Sequence, residues 1–197
     1  MSLLFETIKF HNGILHNIEY HNTRLNKSRN MVFGCTDTID LRDFIQIPNS
    51  LDNKVYKCRV IYSQNIERTE FLPYLFKSVT TLKLVECDTI EYNHKWVDRK
   101  YFDDLLKDID TDDILIVKNG FITDVSYANI VFYDGLKWVT PSTPLLRGTK
   151  RDKLLKEKLI SEIDIKKNDL RLFRKAALIN AMIDLQESPV IEIRNIF

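Results

Sequence analysis

Residues 113–140 read DILIVKNGFITDVSYANIVFYDGLKWVT, and this stretch decides the fold class. The run DILIVK is apolar and β-branched, Asn119-Gly120 follows as a turn, FITDVSYANIVFY returns, and Asp134-Gly135 turns the chain again into LKWVT. Asn-Gly and Asp-Gly between such runs are the strongest short-range hairpin signals, because both residues of each pair tolerate positive φ. The stretch therefore predicts an antiparallel meander. Upstream, residues 3–10 predict a strand that turns at His11-Asn12-Gly13 into a second strand, ILHNIEY. Helical spacing of Leu25, Met31 and Val32 predicts a helix from about His21 to Phe33 that stops at Gly34. A second helix is expected near 38–47, strands at 54–63 and 79–87, and a helix over Lys95–Leu106. Downstream, Pro141 and Pro144 carry a loop to Gly148-Thr149. A charged helix is expected over 150–160, then a strand near 161–166, a short helix around 168–175, the apolar segment AALINAMI and a final strand PVIEIRNI. Strands and helices mix without a repeat period, so the class is α/β in the mixed α+β sense. A seam in 85–95 divides it into a smaller N-terminal α/β domain, 1–88, and a C-terminal domain, 89–197.

The chain's 197 residues suit one large domain or two small ones, and 44% hydrophobic residues exclude wholesale disorder. Lysine and arginine total 29 against 28 acidic residues, a balance that argues against a nucleic-acid partner. No apolar run approaches the ~18 residues of a membrane span, and MSLLFETIKF lacks the basic and apolar regions of a secretory leader, so no membrane partner and a cytoplasmic location are expected. Cys35, Cys58 and Cys87 form no CxxC pair, and the four histidines form no HExxH pair. Neither a zinc site nor a disulfide framework is expected.

Four places carry possible chemistry. Lys95 follows a polar break at an expected helix start. Asp124 faces into a meander otherwise built from Ile, Val, Phe and Tyr. Arg24 follows a polar His-Asn-Thr run, and Gly148-Thr149 opens a helix whose first N–H groups suit an anion. Singly, each has a plain reading: a surface lysine, an edge or turn aspartate, a solvated helix face.

In order, however, these residues resemble the class IV, fold-type IV, pyridoxal-phosphate enzymes, which include branched-chain and D-amino-acid aminotransferases and 4-amino-4-deoxychorismate lyases. The family pattern appears as Phe5-Glu6-Thr7, Gly13, and His21-Asn22-Thr23-Arg24-Leu25. It continues as Cys58-Arg59-Val60, Lys95 to Arg99, and Asp124 with Asn129-Ile130 and Phe132. Thr140-Pro141, Gly148-Thr149-Lys150-Arg151 and Asn180-Ala181-Met182 complete it. The resemblance covers nearly the whole chain. It implies a two-domain fold like that of D-amino-acid aminotransferase, with the cofactor bound by the C-terminal domain, a small-molecule substrate and a homodimer.

The resemblance also implies roles. Lys95 would attach covalently to the pyridoxal phosphate aldehyde and shuttle the substrate Cα proton. Arg24 would clamp the phosphate, with the N–H groups of Thr149 and Lys150 after Gly148, and with Asn180 beside them. Asp124 would pair with the pyridine nitrogen and keep the ring an electron sink. Most relatives have Glu at the position of Asp124, so the carboxylate is one methylene shorter here. The tyrosine that several relatives place five residues after the lysine is Lys100 in this chain. The stretch between Arg59 and Lys95 is short and the tail stops soon after Pro189, so the specificity region reads as cut down. Arg59 and Arg68 are the nearest options for binding a substrate carboxylate. Thr7 stands where lyase relatives carry a substrate-facing threonine, which favours 4-amino-4-deoxychorismate lyase. A threonine here also occurs among transaminases, so a class IV transaminase acting on a small amino acid stays open. So does a shortened, non-catalytic binding partner.

Overall fold

The computed structural model describes residues 3–197; the first two residues of the expected N-terminal domain lie outside that set. The chain forms two compact units. The first runs through Phe76 and takes in His94–Asp98; the second comprises Lys77–Asn93 and Arg99–Phe197.

The first unit is a four-stranded antiparallel sheet with one long helix. β1 (Leu4–His11) turns at Asn12-Gly13, both at positive φ, into the two-residue β2 (Ile14–Leu15). The expected second strand is cut short because Asn17, at φ 55°, starts α1 (Ile18–Phe33) three residues before the expected His21. The helix stops at Gly34, whose φ of 72° is the left-handed C-terminal turn that glycine permits. β3 (Tyr56–Tyr62) lies along β1, and β4 (Ile66–Pro73) lies outside β3, giving the order β2-β1-β3-β4. The sequence reading expects no strand at β4, whose polar I-E-R-T-E run and closing proline mark an edge strand, with Ile66 and Phe71 packed on the core. Leu4, Ile8 and Phe10 of β1 pack with Leu25 of α1 and with Cys58, Val60 and Tyr62 of β3.

Two expected helices here are corrected. Residues 38–47 form only a 3-10 turn, Leu41–Asp43. Asn26 exchanges hydrogen bonds with the backbone of Ile39, and Asn22 Oδ1 accepts from Leu41 N, so side chains from α1 take the place of helical bonds. Lys95 is not helical. Its carbonyl accepts from Phe5 N at 2.9 Å, Val97 N donates to Leu3 O at 2.9 Å, and Trp96 bridges Leu4. The segment extends along the start of β1, which places it in the first unit rather than in the domain expected from residue 89. The helix α2 (Lys100–Leu105) begins five residues later, in the second unit.

In the second unit the strands are β5 (Leu82–Glu86), β6 (Asp113–Lys118), β7 (Phe121–Val125), β8 (Asn129–Tyr133), β9 (Trp138–Pro141) and β10 (Ser161–Ile163). They lie in the order β10-β9-β8-β7-β6-β5, with β11 (Lys175–Ile179) on β8 and β12 (Ile191–Glu192) on β11. The meander β6 to β9 is antiparallel, and Asn119 and Gly120 take positive φ as their sequence requires. The outer pairs β5–β6 and β9–β10 are parallel. The expected return strand 121–133 is broken at Ser126–Ala128. Val125 N donates to Ala128 O, Ser126 Oγ donates to Asp113 Oδ2, and Arg99 Nη2 donates to Ser126 O. The helix α3 (Thr149–Lys156) is shorter than expected. The helix expected around 168–175 is a 3-10 turn, Lys167–Leu172, and AALINAMI is β11 followed by a turn. Leu115, Val117, Ile122, Ile130, Phe132, Val139, Ala176 and Leu178 fill the core.

Candidate active site

Side chains of β1 alternate between two faces of its sheet. Leu4, Ile8 and Phe10 face the core, and Glu6 shares their face, where it is fully buried. Arg24 of α1 meets it bidentately, Nε to Oε1 at 2.9 Å and Nη2 to Oε2 at 2.5 Å, and His21 Nδ1 lies 2.6 Å from Oε2. Burial alone would raise the Glu6 carboxyl, but the Arg24 charge and the His21 bond overturn that and hold it at about 2. Burial pushes His21 below its ordinary value, against the pull of Glu6. The imidazole is therefore neutral at pH 7. An ionised carboxylate only accepts, so Nδ1 carries the hydrogen.

The opposite face of β1 carries Phe5 and Thr7. Thr7 is half-buried and pairs across the sheet with Arg59 of β3, which pairs in turn with Glu70 of β4. The Phe5 ring takes two cations, Lys95 Nζ at 4.6 Å and the Arg59 guanidinium carbon at 4.9 Å from its centroid. Arg59 Nη1 lies 3.4 Å from Glu70 Oε1, while its buried Nε has no hydrogen-bond partner among the described residues. Of the residues singled out in the sequence, the first unit thus gathers Lys95 and Arg59 at Phe5, with Thr7 on the same face. Arg24 is held by Glu6 on the helix-packed face. Arg68 is largely exposed and pairs with Glu70.

In the second unit, Asp124 on β7 is buried. Its Oδ1 accepts from Asn129 Nδ2 at 2.7 Å and its Oδ2 from Leu146 N at 3.0 Å. Burial raises its carboxyl to about 6, against the opposing pull of these bonds and of the Arg151 charge. Gly148 precedes α3 without a side-chain cap on the helix start. A Cβ at Gly148 would sit 2.0 Å from Asn129 Oδ1, so the loop passes where only glycine fits. Thr149, Lys150 and Arg151, the first turn of α3, are all buried. The Lys150 ammonium pairs with Asp184. Arg151 is fully buried; its Nη2 reaches Pro141 O and Glu162, and its Nε and Nη1 find no hydrogen-bond partner among the described residues. Asn180 Oδ1 accepts from Met182 N and Ile183 N, which commits that oxygen to its own turn. The second unit thus brings together Asp124, Gly148 and the start of α3.

Three residues here carry more than the sequence assigned them. Glu6 has a readable signal, since it interrupts the apolar face of Leu4, Ile8 and Phe10 at a period of two. Asn129 and Arg151 stand in quoted motifs, but Asn129 also reaches Leu146, 17 residues away, and Arg151 reaches Glu162, 11 away, and nothing local predicts these partners.

Comparison with known proteins matches residues 3–193 to the family model for amino-transferase class IV. A protein of Haemophilus influenzae, named only as uncharacterized, is 38% identical over 182 residues, covering 91% of this chain and 97% of its own. A crystal structure from Haemophilus somnus, provisionally named a 4-amino-4-deoxychorismate lyase, has a TM-score of 0.88 at 35% identity, covering 94% of this chain and 98% of that one. An aminotransferase of Mycobacterium tuberculosis, called hypothetical and solved in a form with pyridoxal phosphate bound, shares the fold with a TM-score of 0.76 at 15% identity, over 96% of this chain and 80% of its own. The chain belongs to the class IV aminotransferase family.

Proposed function

We propose that this chain is a pyridoxal-phosphate-dependent enzyme that releases pyruvate and 4-aminobenzoate from 4-amino-4-deoxychorismate. Each unit, taken by itself, carries groups that suit part of such a cofactor. Arg151 keeps two buried donors without hydrogen bonds on the first turn of an uncapped helix, which favours an anionic group. Asp124 is a buried carboxyl raised to about 6, and a cation placed against it would recover part of its lost solvation. Lys95 is a half-buried amine on an aromatic face.

When bound, pyridoxal phosphate supplies an electron sink for the pair left at a substrate α-carbon. The residues divide the remaining work. Lys95 Nζ would hold the cofactor covalently and, as a free amine, would take the proton from that carbon. The N–H groups of Thr149 and Lys150, behind Gly148, would hold the phosphate, with Asn180 the weaker candidate in the same unit; the clamping role of Arg24 rests on the family resemblance. The carboxylate of Asp124 is the counter-charge of the ring nitrogen. Arg59 is the candidate for a substrate carboxylate, because among the described residues its buried Nε has no hydrogen-bond partner and its ion pair with Glu70 is long.

The observation that carries the lyase reading is the place of Thr7. Its hydroxyl stands on the face of β1 that bears Phe5 and, across the strand, Arg59. A hydroxyl there can pass a proton to a departing enolpyruvyl oxygen, which a transaminase does not need. The name borne by the Haemophilus somnus relative agrees. The test is an absorbance spectrum of the purified protein with pyridoxal phosphate, then addition of 4-amino-4-deoxychorismate with an assay for pyruvate. A visible band that Lys95→Ala abolishes, and pyruvate formed with 4-aminobenzoate in the absence of a keto-acid acceptor, are expected. A keto acid formed only from amino acids would make the protein a transaminase. Absence of the band would overturn the cofactor assignment.

A further inference from the structure

We propose that Asn129 is a positioning residue for Asp124, and that position 148 is glycine because the Asn129 side chain occupies the space a Cβ would need. The amide of Asn129 has two N–H groups and uses them in two directions: to Asp124 Oδ1 at 2.7 Å and to Leu146 O at 2.9 Å. Leu146 N closes the ring by donating to Asp124 Oδ2 at 3.0 Å. Asp124, Asn129 and Leu146 thus form a closed circuit of three hydrogen bonds joining β7, β8 and the loop before α3. No other side chain of this size supplies two donors: aspartate has none when ionised, serine and threonine one, leucine none.

The backbone is arranged to make this circuit. Asp124 and Asn129 are direct cross-strand partners, set opposite each other by the tight turn at Ser126–Ala128. That turn is fixed from outside by Asp113, which accepts from Ser126 Oγ at 3.0 Å, and by Arg99, which donates to Ser126 O at 2.5 Å. Gly148 completes the fit from the other side. Its φ of −73° is open to any residue, so its conformation does not require glycine; the 2.0 Å approach of Asn129 Oδ1 does. A short carboxylate fixed at both oxygens cannot swing, so its direction is set before any ligand arrives. Both bonds leave lone pairs on each oxygen for a further donor.

The inference rests on the reading of Asp124 as partner of the cofactor's ring nitrogen, and its test separates the two. The carboxyl of Asp124 is titrated by carbon-13 NMR in the protein without added cofactor, in wild type, Asn129→Ala, Gly148→Ala and the double variant. Losing a hydrogen bond to the charged form raises the midpoint, by about one pH unit or more in Asn129→Ala, roughly tenfold in the acid constant. Gly148→Ala is expected to raise it too, by displacing the amide. The double variant is expected to match Asn129→Ala alone, because the clash is then gone. Arg151, the charged group whose field reaches Asp124, is unchanged throughout. A residue with a merely structural role would lower stability and leave the midpoint where it is, and that result, or additive effects in the double variant, would overturn the proposal. Should a variant fail to fold, the wild-type protein decides: the Asn129 Nδ2 proton resonances must shift as pH crosses the Asp124 midpoint, and their constancy would overturn it equally. The reading of Asp124 is tested apart, by adding pyridoxal phosphate to Asp124→Asn. A bound spectrum and affinity equal to wild type would remove the ring-nitrogen role while leaving the titration result standing.

Discussion

Replacing Glu6 by glutamine removes the carboxylate that meets the Arg24 charge and accepts from His21, and its cost follows from the structure. Glu6 is fully buried, and its carboxyl drops from an ordinary 4.5 to about 2. At 1.36 kcal/mol per pH unit, that difference makes the ionised form worth about 3 kcal/mol to the folded state at neutral pH. Removing one member of a buried ion pair costs about 3–5 kcal/mol, so two independent routes agree. For a chain of this length the melting temperature should fall by roughly 6–12 °C at pH 7. The sign in pH is fixed as well. Because the folded value lies below the unfolded one, this stability is present above pH 4.5 and lost as pH falls toward 2. A wild-type melting curve should therefore lose about 3 kcal/mol across that window, while Glu6→Gln should lack that part of the acid limb. His21, lowered by burial from 6.5, adds a separate loss that begins below that value and persists in the variant. Circular-dichroism melts at half-unit pH intervals would show both. A melting temperature within about 2 °C of wild type at pH 7, with the limb below pH 4.5 unchanged, would refute the reasoning.

Two further outcomes follow from burial alone. Cys58 is fully buried and its thiol is pushed up to about 12, so a thiol-reactive dye at pH 8 should label Cys35 and Cys87 in the native protein and Cys58 only after unfolding. Leu115 lies at the centre of the second unit's core, with none of its surface exposed. Leu115→Ala should cost roughly 2–5 kcal/mol in urea denaturation, through lost apolar contact and a residual cavity.

How much of this was legible in the sequence depended on whether the deciding interaction was local. Asn12-Gly13, Asn119-Gly120 and Gly34 act through their own φ, and the turns and helix end they predict are where they should be. The meander is legible because β6 and β8 are near-continuous apolar runs, buried on both faces and bounded by turn residues. Residues 38–47 and 95–97 went otherwise for a common reason, while the rest of the second expected helix forms as α2. Their apolar spacing suits a helix, but asparagines 13 and 19 residues away bind the first segment's backbone, and β1 binds the start of the second's. At the site the same division holds. The types and order of Lys95, Asp124, Gly148 and Arg24 are written in the chain, whereas the pairing of Arg24 with Glu6 and the circuit around Asp124 exist only once strands are in register.

Glu6 and Asp124 are both buried, and they differ in the charge that meets them; Asp113, the other buried carboxyl among the described residues, is also raised by burial and meets hydrogen-bond donors from Ser126 and its own strand. Glu6 meets a full guanidinium charge bidentately and falls to about 2; Asp124 meets neutral amide and backbone donors, with Arg151 acting only through its field, and rises to about 6. Glu6 has a cation of its own, which offsets the cost of burying its charge. Asp124 is held as firmly but supplied with less opposite charge than its burial calls for, at a cost of about 3 kcal/mol when ionised, worked from its shift of about two pH units. That deficit is recovered if a ligand brings the cation, and a protonated ring nitrogen is one. Ligand binding should then lower the Asp124 midpoint, whereas Glu6, already compensated, should not respond. The position that is costly to the protein alone is thus the one that can discriminate in favour of a cationic ligand.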